Sequence, residues 1–112
     1  MKTFAEFWPF YCREHSRRST RRLHLIGSLL GPAAAASVYA VTRSLHALWL
    51  WPLVGYGFAW VAHFFVEKNR PATFKYPFFS LWADYVMVGK MLTGRMDAEV
   101  ERALSASESV EH

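Results

Sequence analysis

Residues 23–66 read LHLIGSLLGPAAAASVYAVTRSLHALWLWPLVGYGFAWVAHFFV, and Arg43 is the only Lys, Arg, Asp or Glu among them. Arg43 divides this stretch into two apolar runs, each close to the ~20 residues that a helix needs to cross a bilayer. The connection between the runs is too short for anything except an antiparallel hairpin. The sequence therefore predicts a small integral membrane protein built around a transmembrane helical hairpin.

The net charge of +4 is unevenly distributed along the chain. Five arginines lie between residues 13 and 22, and Lys68, Arg70 and Lys75 follow the second apolar run. Basic residues at the ends of apolar segments meet lipid headgroups, so we expect membrane lipids as partners and no nucleic acid. The positive-inside rule predicts that both basic clusters, and with them the N-terminus, face the cytoplasm.

We predict an all-α fold: a small helical membrane bundle with an amphipathic N-terminal helix, a transmembrane hairpin and a third membrane or interfacial helix. Residues 1–95 are expected to form a single membrane-embedded domain, and residues 96–112 a polar C-terminal tail with a short helix and a disordered end. The single Cys12 excludes an internal disulfide, and we expect it to be a small buried hydrophobe.

Residues 3–18 predict an amphipathic helix in the membrane interface. Apolar side chains recur there at spacings of three and four, and His15 continues their stripe and therefore points inward. A capping box of Thr3 and Glu6 would start the helix early but leave Pro9 inside it. A later start, or a kink, is the alternative. The stripe comprises Phe4, Phe7, Trp8, Tyr11 and His15.

Two glycines and a proline mark the first apolar run. Gly27 and Gly31 form a GxxxG pair, which lets a second helix approach closely. Pro32 follows them and predicts a kink.

An antiparallel hairpin sorts the histidines by depth. His24 lies at the entrance of the first apolar run and His63 near the exit of the second, so both reach the same leaflet. His46 lies at the opposite turn, on the order of 30 Å away by helical rise. With the inward-pointing His15, three imidazoles converge at the cytoplasmic face. Ionisable groups inside a membrane bundle are costly unless paired or metal-bound, which favours a functional site there.

His63 and Glu67 stand four residues apart and would share one face of an α-helix. An imidazole and a carboxylate so placed can ligate one metal ion. The ordinary alternative is an interfacial histidine and a helix-end glutamate held by Lys68 or Arg70. The pair alone does not decide between these interpretations.

Residues 76–93 are rich in aromatic and aliphatic side chains, but their uncharged part is short for a membrane span. They form a third membrane helix, a re-entrant helix or an interfacial one. Asp84 is the unusual residue in this segment. It is a metal ligand, an acceptor that orients a ligating imidazole, or a salt-bridge partner for Lys90 or an upstream arginine.

Several motifs resemble the short bacterial branch of the DUF962, or Mpo1-like, family. The resemblance covers residues 4–87, and its most specific piece is the segment 63–71. The matching elements are Glu14-His15, Arg22-x-His24, Ala59-Trp60-x-x-His63, the run Glu67-Lys68-Asn69-Arg70-Pro71-Ala72-Thr73-Phe74, and Asp84.

The resemblance implies an Fe(II)-dependent, membrane-embedded dioxygenase that carries out α-oxidation. A 2-hydroxy fatty acid and O₂ would give a fatty acid one carbon shorter, with loss of the carboxyl carbon. The family's functional histidines correspond to His15, His24 and His63, which would be the catalytic iron ligands. We therefore expect a protein of the bacterial inner membrane whose metal site faces the cytoplasm.

A ferrous ion that binds both a 2-hydroxy carboxylate and O₂ needs open positions, so three or four imidazole and carboxylate ligands are suitable. Glu67 or Asp84 would add the carboxylate to the three histidines, either as a ligand or behind one. The substrate head would lie near Arg22, Lys68 or Arg70, and its acyl chain would run between the two spanning helices.

The alternative, from another functional class, is a non-enzymatic membrane hairpin whose histidines bind a structural metal, a haem or nothing. Such a protein would act in lipid binding or assembly. The sequence leaves open whether the hairpins pair into a homo-oligomer.

Overall fold

The computed structural model describes the backbone of residues 1–111 and the side chains of residues 1–106. Helices account for 84% of the chain, and the described residues contain no strand, so the all-α prediction is confirmed. The α-helices of this described part are α1 (Phe4–Glu14), α2 (Arg18–Thr42), α3 (Leu50–Val61), α4 (Pro77–Leu92) and α5 (Met96–Glu111).

Within the described residues, two helical segments are long and apolar enough to cross a bilayer. The first is α2. The second, Leu45–Glu67, consists of a 3₁₀ turn (Leu45–Trp49), α3 and a π-helical turn (Ala62–Glu67). Only 17% of the apolar window in each is buried, whereas the core helix of a soluble protein would be mostly buried. The outer faces of the predicted hairpin are thus exposed, as contact with lipid requires.

The two arms of the hairpin approach each other at glycines, as the GxxxG pair predicted. A Cβ atom on Gly27 would lie 2.8 Å from Cβ of Phe58, and one on Gly31 would lie 2.7 Å from the carbonyl oxygen of Trp51. Real carbon atoms do not pack so closely, so only glycine permits this approach. α2 continues through Pro32 and ends at the left-handed residue Arg43, whose φ is 59°.

Gly31→Ala is expected to destabilise the protein by about 1–3 kcal/mol, because the added methyl group meets backbone that cannot move aside. Thermal unfolding in detergent, followed by circular dichroism, measures the change. Gly57→Ala is the matched control: a Cβ there meets nothing within 4 Å, so the stability should be unchanged or slightly higher. Equal unfolding of Gly31→Ala and the wild type would contradict the close approach.

α1 is the amphipathic N-terminal helix that the sequence predicted. The hydroxyl oxygen of Thr3 accepts a hydrogen bond from the backbone N–H of Glu6, and Pro9 lies inside the helix. The chain therefore adopts the early start. Cys12 is fully buried, as predicted.

α4 packs one side against α1 and leaves the other side exposed. Ala83 and Met87 are buried in the core shared with α1, whereas Phe78 and Trp82 are largely exposed. The helix has 16 residues. By helical rise this is about 24 Å, less than the ~30 Å of a bilayer's apolar region. These features favour the interfacial alternative for the third helix.

α5 joins the same core. Glu99 accepts a hydrogen bond from Trp8 Nε1 over 3.1 Å and pairs with Lys90 over 2.9 Å. The sequence predicted a short helix and a disordered end; the helix is longer, and part of that end lies outside the described residues. The domain boundary at residue 95 stays a prediction. Among the α5 residues whose side chains the structure describes, Met96, Val100 and Ala103 are buried.

Candidate metal centre

Three histidines from three different segments meet beside the N-terminal end of α2. His15 caps the end of α1, His24 lies in the second turn of α2, and His63 lies in the π turn. All three are buried, with at most 4% of their surface exposed. Nε2 of His24 lies 3.1 Å from Nε2 of His15 and 3.2 Å from Nε2 of His63. The hairpin thus brings together the imidazoles that its geometry predicted.

The other ring nitrogen of each histidine, Nδ1, faces an oxygen that accepts hydrogen bonds. These acceptors favour the tautomer with the proton on Nδ1, which leaves a lone pair on Nε2. The three pairs are His15 Nδ1 with the carbonyl oxygen of Tyr11 at 2.7 Å, His63 Nδ1 with Oδ1 of Asn69 at 2.7 Å, and His24 Nδ1 with Oδ1 of Asp84 at 3.5 Å.

Asn69 is held in the orientation that this proton position requires. Its Nδ2 donates to the carbonyl oxygen of Glu14 over 3.2 Å and to Oε2 of the same residue over 2.6 Å. Both atoms are acceptors, so the amide oxygen must point towards His63. Lys68, a left-handed residue with a φ of 60°, ends the π turn and returns the chain to that position.

The cluster fits a single metal ion. Three lone pairs this close together repel one another unless a cation lies between them. Imidazole nitrogens bind metals at about 2.0–2.1 Å, so two such ligands at a right angle stand about 3 Å apart. The measured Nε2 separations of 3.1 and 3.2 Å match this spacing. His15, His24 and His63 would hold such an ion, and with three protein ligands it would keep positions for other molecules.

Burial keeps His15 and Tyr11 uncharged. Burial lowers the pKa of His15 well below its usual value, and the neighbouring His24 and His63 lower it further. Neutral imidazole is the form that binds a metal. Burial, and after it the charge of Asp84, raises the pKa of Tyr11. The Tyr11 hydroxyl therefore stays protonated and donates to Oδ1 of Asp84.

The sequence left three roles open for Asp84. The structure places it behind His24, where it corresponds to the acceptor that orients an imidazole. The same oxygen that accepts from Tyr11 faces Nδ1 of His24. Lys90, an alternative partner for Asp84, pairs with Glu99 instead.

Glu67 does not face the histidines. Its Oε1 accepts from the backbone N–H of Arg17 over 2.6 Å, and its Oε2 accepts from the Ser16 hydroxyl over 3.3 Å. Residues four apart can share one face of a helix, but here both oxygens of the carboxylate are bonded to donors at the start of α2. The carboxylate therefore holds the start of α2, and the structure does not bring it to His63 as a second ligand.

An apolar cavity of about 510 Å³ reaches the cluster from the side of the spanning helices. It lies between α2, α3 and α4, and His24 and Asp84 form its polar end. Ligand pockets in proteins typically have volumes of about 300–1,000 Å³. The cavity lies beside the contact of the two spanning helices, and α4 forms its third wall. The predicted path of an acyl chain between those helices stays a prediction.

The three basic residues predicted to hold a substrate head group lie elsewhere on the surface. Arg22, Lys68 and Arg70 are exposed, and none of them lines the cavity at His24. Arg22 lies instead in a separate depression near the turn between α4 and α5.

The sequence did not predict the residues that hold the cluster in place. Tyr11 lies in the apolar stripe of the N-terminal helix, and Asn69 lies in the family motif. Neither pattern indicated that these residues contact the histidines. Arg21 counted only as one arginine of the basic cluster. It is buried, and its guanidinium donates to the carbonyl oxygens of His15 and Ser16 over 2.8 and 2.9 Å. This guanidinium fixes the turn that presents His15.

Fold and site together define a class: small all-helical proteins with two apolar helices of membrane length and a buried cluster of three histidines. The chain belongs to the Mpo1-like family, described as 2-hydroxy-palmitic acid dioxygenase Mpo1-like, whose profile matches residues 1–96. The family resemblance found in the motifs is therefore confirmed. No curated protein and no solved structure shows significant similarity to the chain.

Proposed function

We propose that the protein is an Fe(II)-dependent membrane dioxygenase that shortens 2-hydroxy fatty acids by one carbon. The observation that carries the proposal is the convergence of three buried Nε2 atoms, from His15, His24 and His63, at spacings of 3.1 and 3.2 Å. Membership of the Mpo1-like family supports the class of substrate. Asp84 and Asn69 would keep two of these ligands in the productive orientation.

The charge of the site favours an anionic substrate. Ferrous iron held by the three histidines would supply positive charge, open positions for a 2-hydroxy carboxylate, and reactivity towards O₂. Neutral imidazoles leave that charge uncompensated, and Asp84 balances only part of it. A substrate carboxylate would balance the rest. The exposed Arg22, Lys68 and Arg70 would act earlier, by attracting the acid to the membrane surface.

The proposed reaction balances without a further reductant. One 2-hydroxy acid and one O₂ give the acid one carbon shorter, one CO₂ and one water. The bond between the carboxyl carbon and C2 breaks, and C2 is oxidised from an alcohol to a carboxylic acid. The four electrons released in these changes reduce O₂, and the protons end on water.

The fold indicates where the substrate and the membrane would lie. The acyl chain would occupy the apolar cavity, and its head would lie beside His24 and Asp84. Two apolar helices of sufficient length support a membrane location. Since the basic residues cluster at the same end, we place this end at the cytoplasmic face of a bacterial inner membrane. A haem is less suitable, because its porphyrin leaves only two axial positions for the three imidazoles.

Product analysis tests the proposal. Full-length protein loaded with Fe(II) without air, then given 2-hydroxypalmitate and O₂, should form pentadecanoic acid and consume one O₂ for each molecule formed. Palmitate, which lacks the 2-hydroxyl group, is the matched control and should remain intact. Absence of a shortened acid across several chain lengths would overturn the proposal.

A further inference from the structure

His15 is the histidine of the cluster that lies outside a helical run. His24 lies within α2 and His63 within the π turn, whereas His15 caps α1 with a φ of −124° and a ψ of 41°. In the described part of the chain, no backbone N–H donates to the carbonyl oxygen of His15 or to that of Ser16. The position of the His15 ring therefore depends on side chains that bind this turn.

Arg21 binds both of these carbonyl groups. Its Nη1 donates to the oxygen of His15 over 2.8 Å and to that of Ser16 over 2.9 Å. The Arg21 side chain is only 5% exposed, so its charge is withdrawn from water and needs an anionic partner. Asp97, in the first turn of α5, is that partner, because its Oδ1 accepts from Arg21 Nη2 over 2.7 Å. Asp97 thus holds the guanidinium where it binds the turn.

The other contacts of Asp97 and of α5 do not take over this role. Oδ2 of Asp97 accepts from Arg18 over 3.2 Å, but the Arg18 side chain is 71% exposed, and such surface pairs contribute little. Glu99 attaches α5 to Trp8 and Lys90, and the buried apolar side of α5 packs in the core. The docking of α5 therefore rests mainly on residues other than Asp97.

The charge of Asp97 also favours a cation at the cluster. Arg21 and His24 lie three residues apart on α2 and so share one side of that helix. A guanidinium without its carboxylate would stand close to the metal-binding nitrogens and repel a metal ion. The carboxylate of Asp97 balances this charge. Its loss should therefore weaken metal binding by position and by charge together.

We propose that Asp97 is a positioning residue of the metal centre, acting on His15 through the guanidinium of Arg21. The inference rests on the metal site of the proposed function, but not on the reaction at the metal. The family profile matches residues 1–96, so Asp97 lies just outside the part of the chain that this match covers. Without Asp97, Arg21 turns towards water and its bonds to the turn weaken. His15 then loses the position that brings its Nε2 to 3.1 Å from Nε2 of His24.

The first test is the affinity for Fe(II) of the full-length protein in lipid nanodiscs, titrated under argon. Asp97→Ala should lower this affinity about 10-fold, the lower end of the loss that follows when a group behind a ligand is removed. Asp97→Asn keeps an oxygen acceptor for Arg21 but loses the charge, so the affinity should fall less, by about threefold. Asp97→Asn also keeps the shape of the side chain, so it decides the test if Asp97→Ala fails to fold.

Two other carboxylates of α5 provide matched controls. Glu101 is exposed, so Glu101→Ala should bind Fe(II) as the wild type does. Glu99→Ala removes the polar contacts that attach α5 to α1 and α4, but it leaves the bonds of Arg21 in place. It should destabilise the protein at least as much as Asp97→Ala and yet lower the affinity for Fe(II) less.

A second readout needs no metal. Nuclear magnetic resonance of isotope-labelled histidine rings reports the surroundings of each imidazole in the metal-free protein. In Asp97→Ala the ring signals of His15 should shift more than those of His63, because the turn that carries His15 moves. A loss of stability alone would not single out one histidine.

The outcomes separate this inference from the proposed function. Wild-type affinity in the folded Asp97 variants, or an equal fall in Glu99→Ala, overturns the inference. A fall limited to the Asp97 variants supports it even if the wild type forms no shortened acid, a result that would count against the dioxygenase alone. If the wild type binds no Fe(II), the histidine signals decide, and an unchanged His15 signal in Asp97→Ala overturns the inference.

Discussion

Each of the variants His15→Ala, His24→Ala and His63→Ala should lose tight iron binding, while His46→Ala should bind iron as the wild type does. Each of the first three removes one of the converging nitrogens and leaves two, too few to retain a labile ferrous ion. The loss of affinity should exceed the roughly 10- to 100-fold that follows when a group behind a ligand is removed. His46 is exposed at the opposite turn and controls for loss of an imidazole outside the cluster.

The measurement is the iron content of folded protein after anaerobic reloading with Fe(II) and removal of unbound metal. Formation of pentadecanoic acid from 2-hydroxypalmitate should fall in parallel. A variant among the three that kept its iron would show that its histidine is not a ligand. Equal loss in His46→Ala would show that the metal binds nonspecifically.

Asp84→Ala should lower the affinity for Fe(II) by about 10- to 100-fold, the second largest effect. The carboxylate accepts from the Tyr11 hydroxyl and lies 3.5 Å from Nδ1 of His24. Without it, the proton of His24 is no longer held on Nδ1 and can move to Nε2, which removes the lone pair directed at the metal. The Tyr11 hydroxyl, left without its acceptor, should also cost about 1–3 kcal/mol in stability.

Two conservative variants separate orientation from stability. Asp84→Asn keeps an oxygen acceptor for His24 but loses the charge, so its affinity for Fe(II) should lie between those of the wild type and Asp84→Ala. Tyr11→Phe removes one hydrogen bond but keeps the ring that stacks on His15 at 3.9 Å, so it should weaken iron binding least. Titration with Fe(II) under argon measures all of them. Wild-type affinity in folded Asp84→Ala would contradict its positioning role.

The hairpin and the convergence of the histidines could be predicted because they follow from the lengths of apolar runs and from helical periodicity. The lone Arg43 within residues 23–66 separates two runs whose length matches a bilayer. This separation alone brings His24 and His63 to the same depth. His15 followed from the apolar stripe of α1, whose period identifies its inward face.

The residues that hold the histidines in place could not be predicted. Their positions depend on departures from ideal helix geometry and on contacts between residues far apart in the sequence. A periodic pattern assumes 3.6 residues per turn, so it carries no sign of the π turn, nor of the distant donors at Ser16 and Arg17 that bind Glu67. Nor does it show that the left-handed Lys68 returns Asn69 to the cluster. The buried Arg21 donates to the carboxylate of Asp97, which is 76 positions away in the sequence. No local pattern extends that far.

α5 illustrates how average composition can hide packing. The segment is polar overall, and this polarity predicted a tail outside the membrane domain. Its apolar residues nevertheless recur at spacings of three and four, and this side is buried in the core shared with α1 and α4. A helix needs only one apolar face to pack, and average composition does not show that face.

Electron paramagnetic resonance of the Fe(II) protein treated with nitric oxide tests most directly whether an iron ion held by the three histidines receives a 2-hydroxy acid. Nitric oxide stands in for O₂ and gives ferrous iron a signal that reports its ligands. We predict a signal in the wild type that is absent from His63→Ala, and that changes when 2-hydroxypalmitate is added but not when palmitate is added. A signal that persists in His63→Ala, or that 2-hydroxypalmitate leaves unchanged, would contradict this prediction.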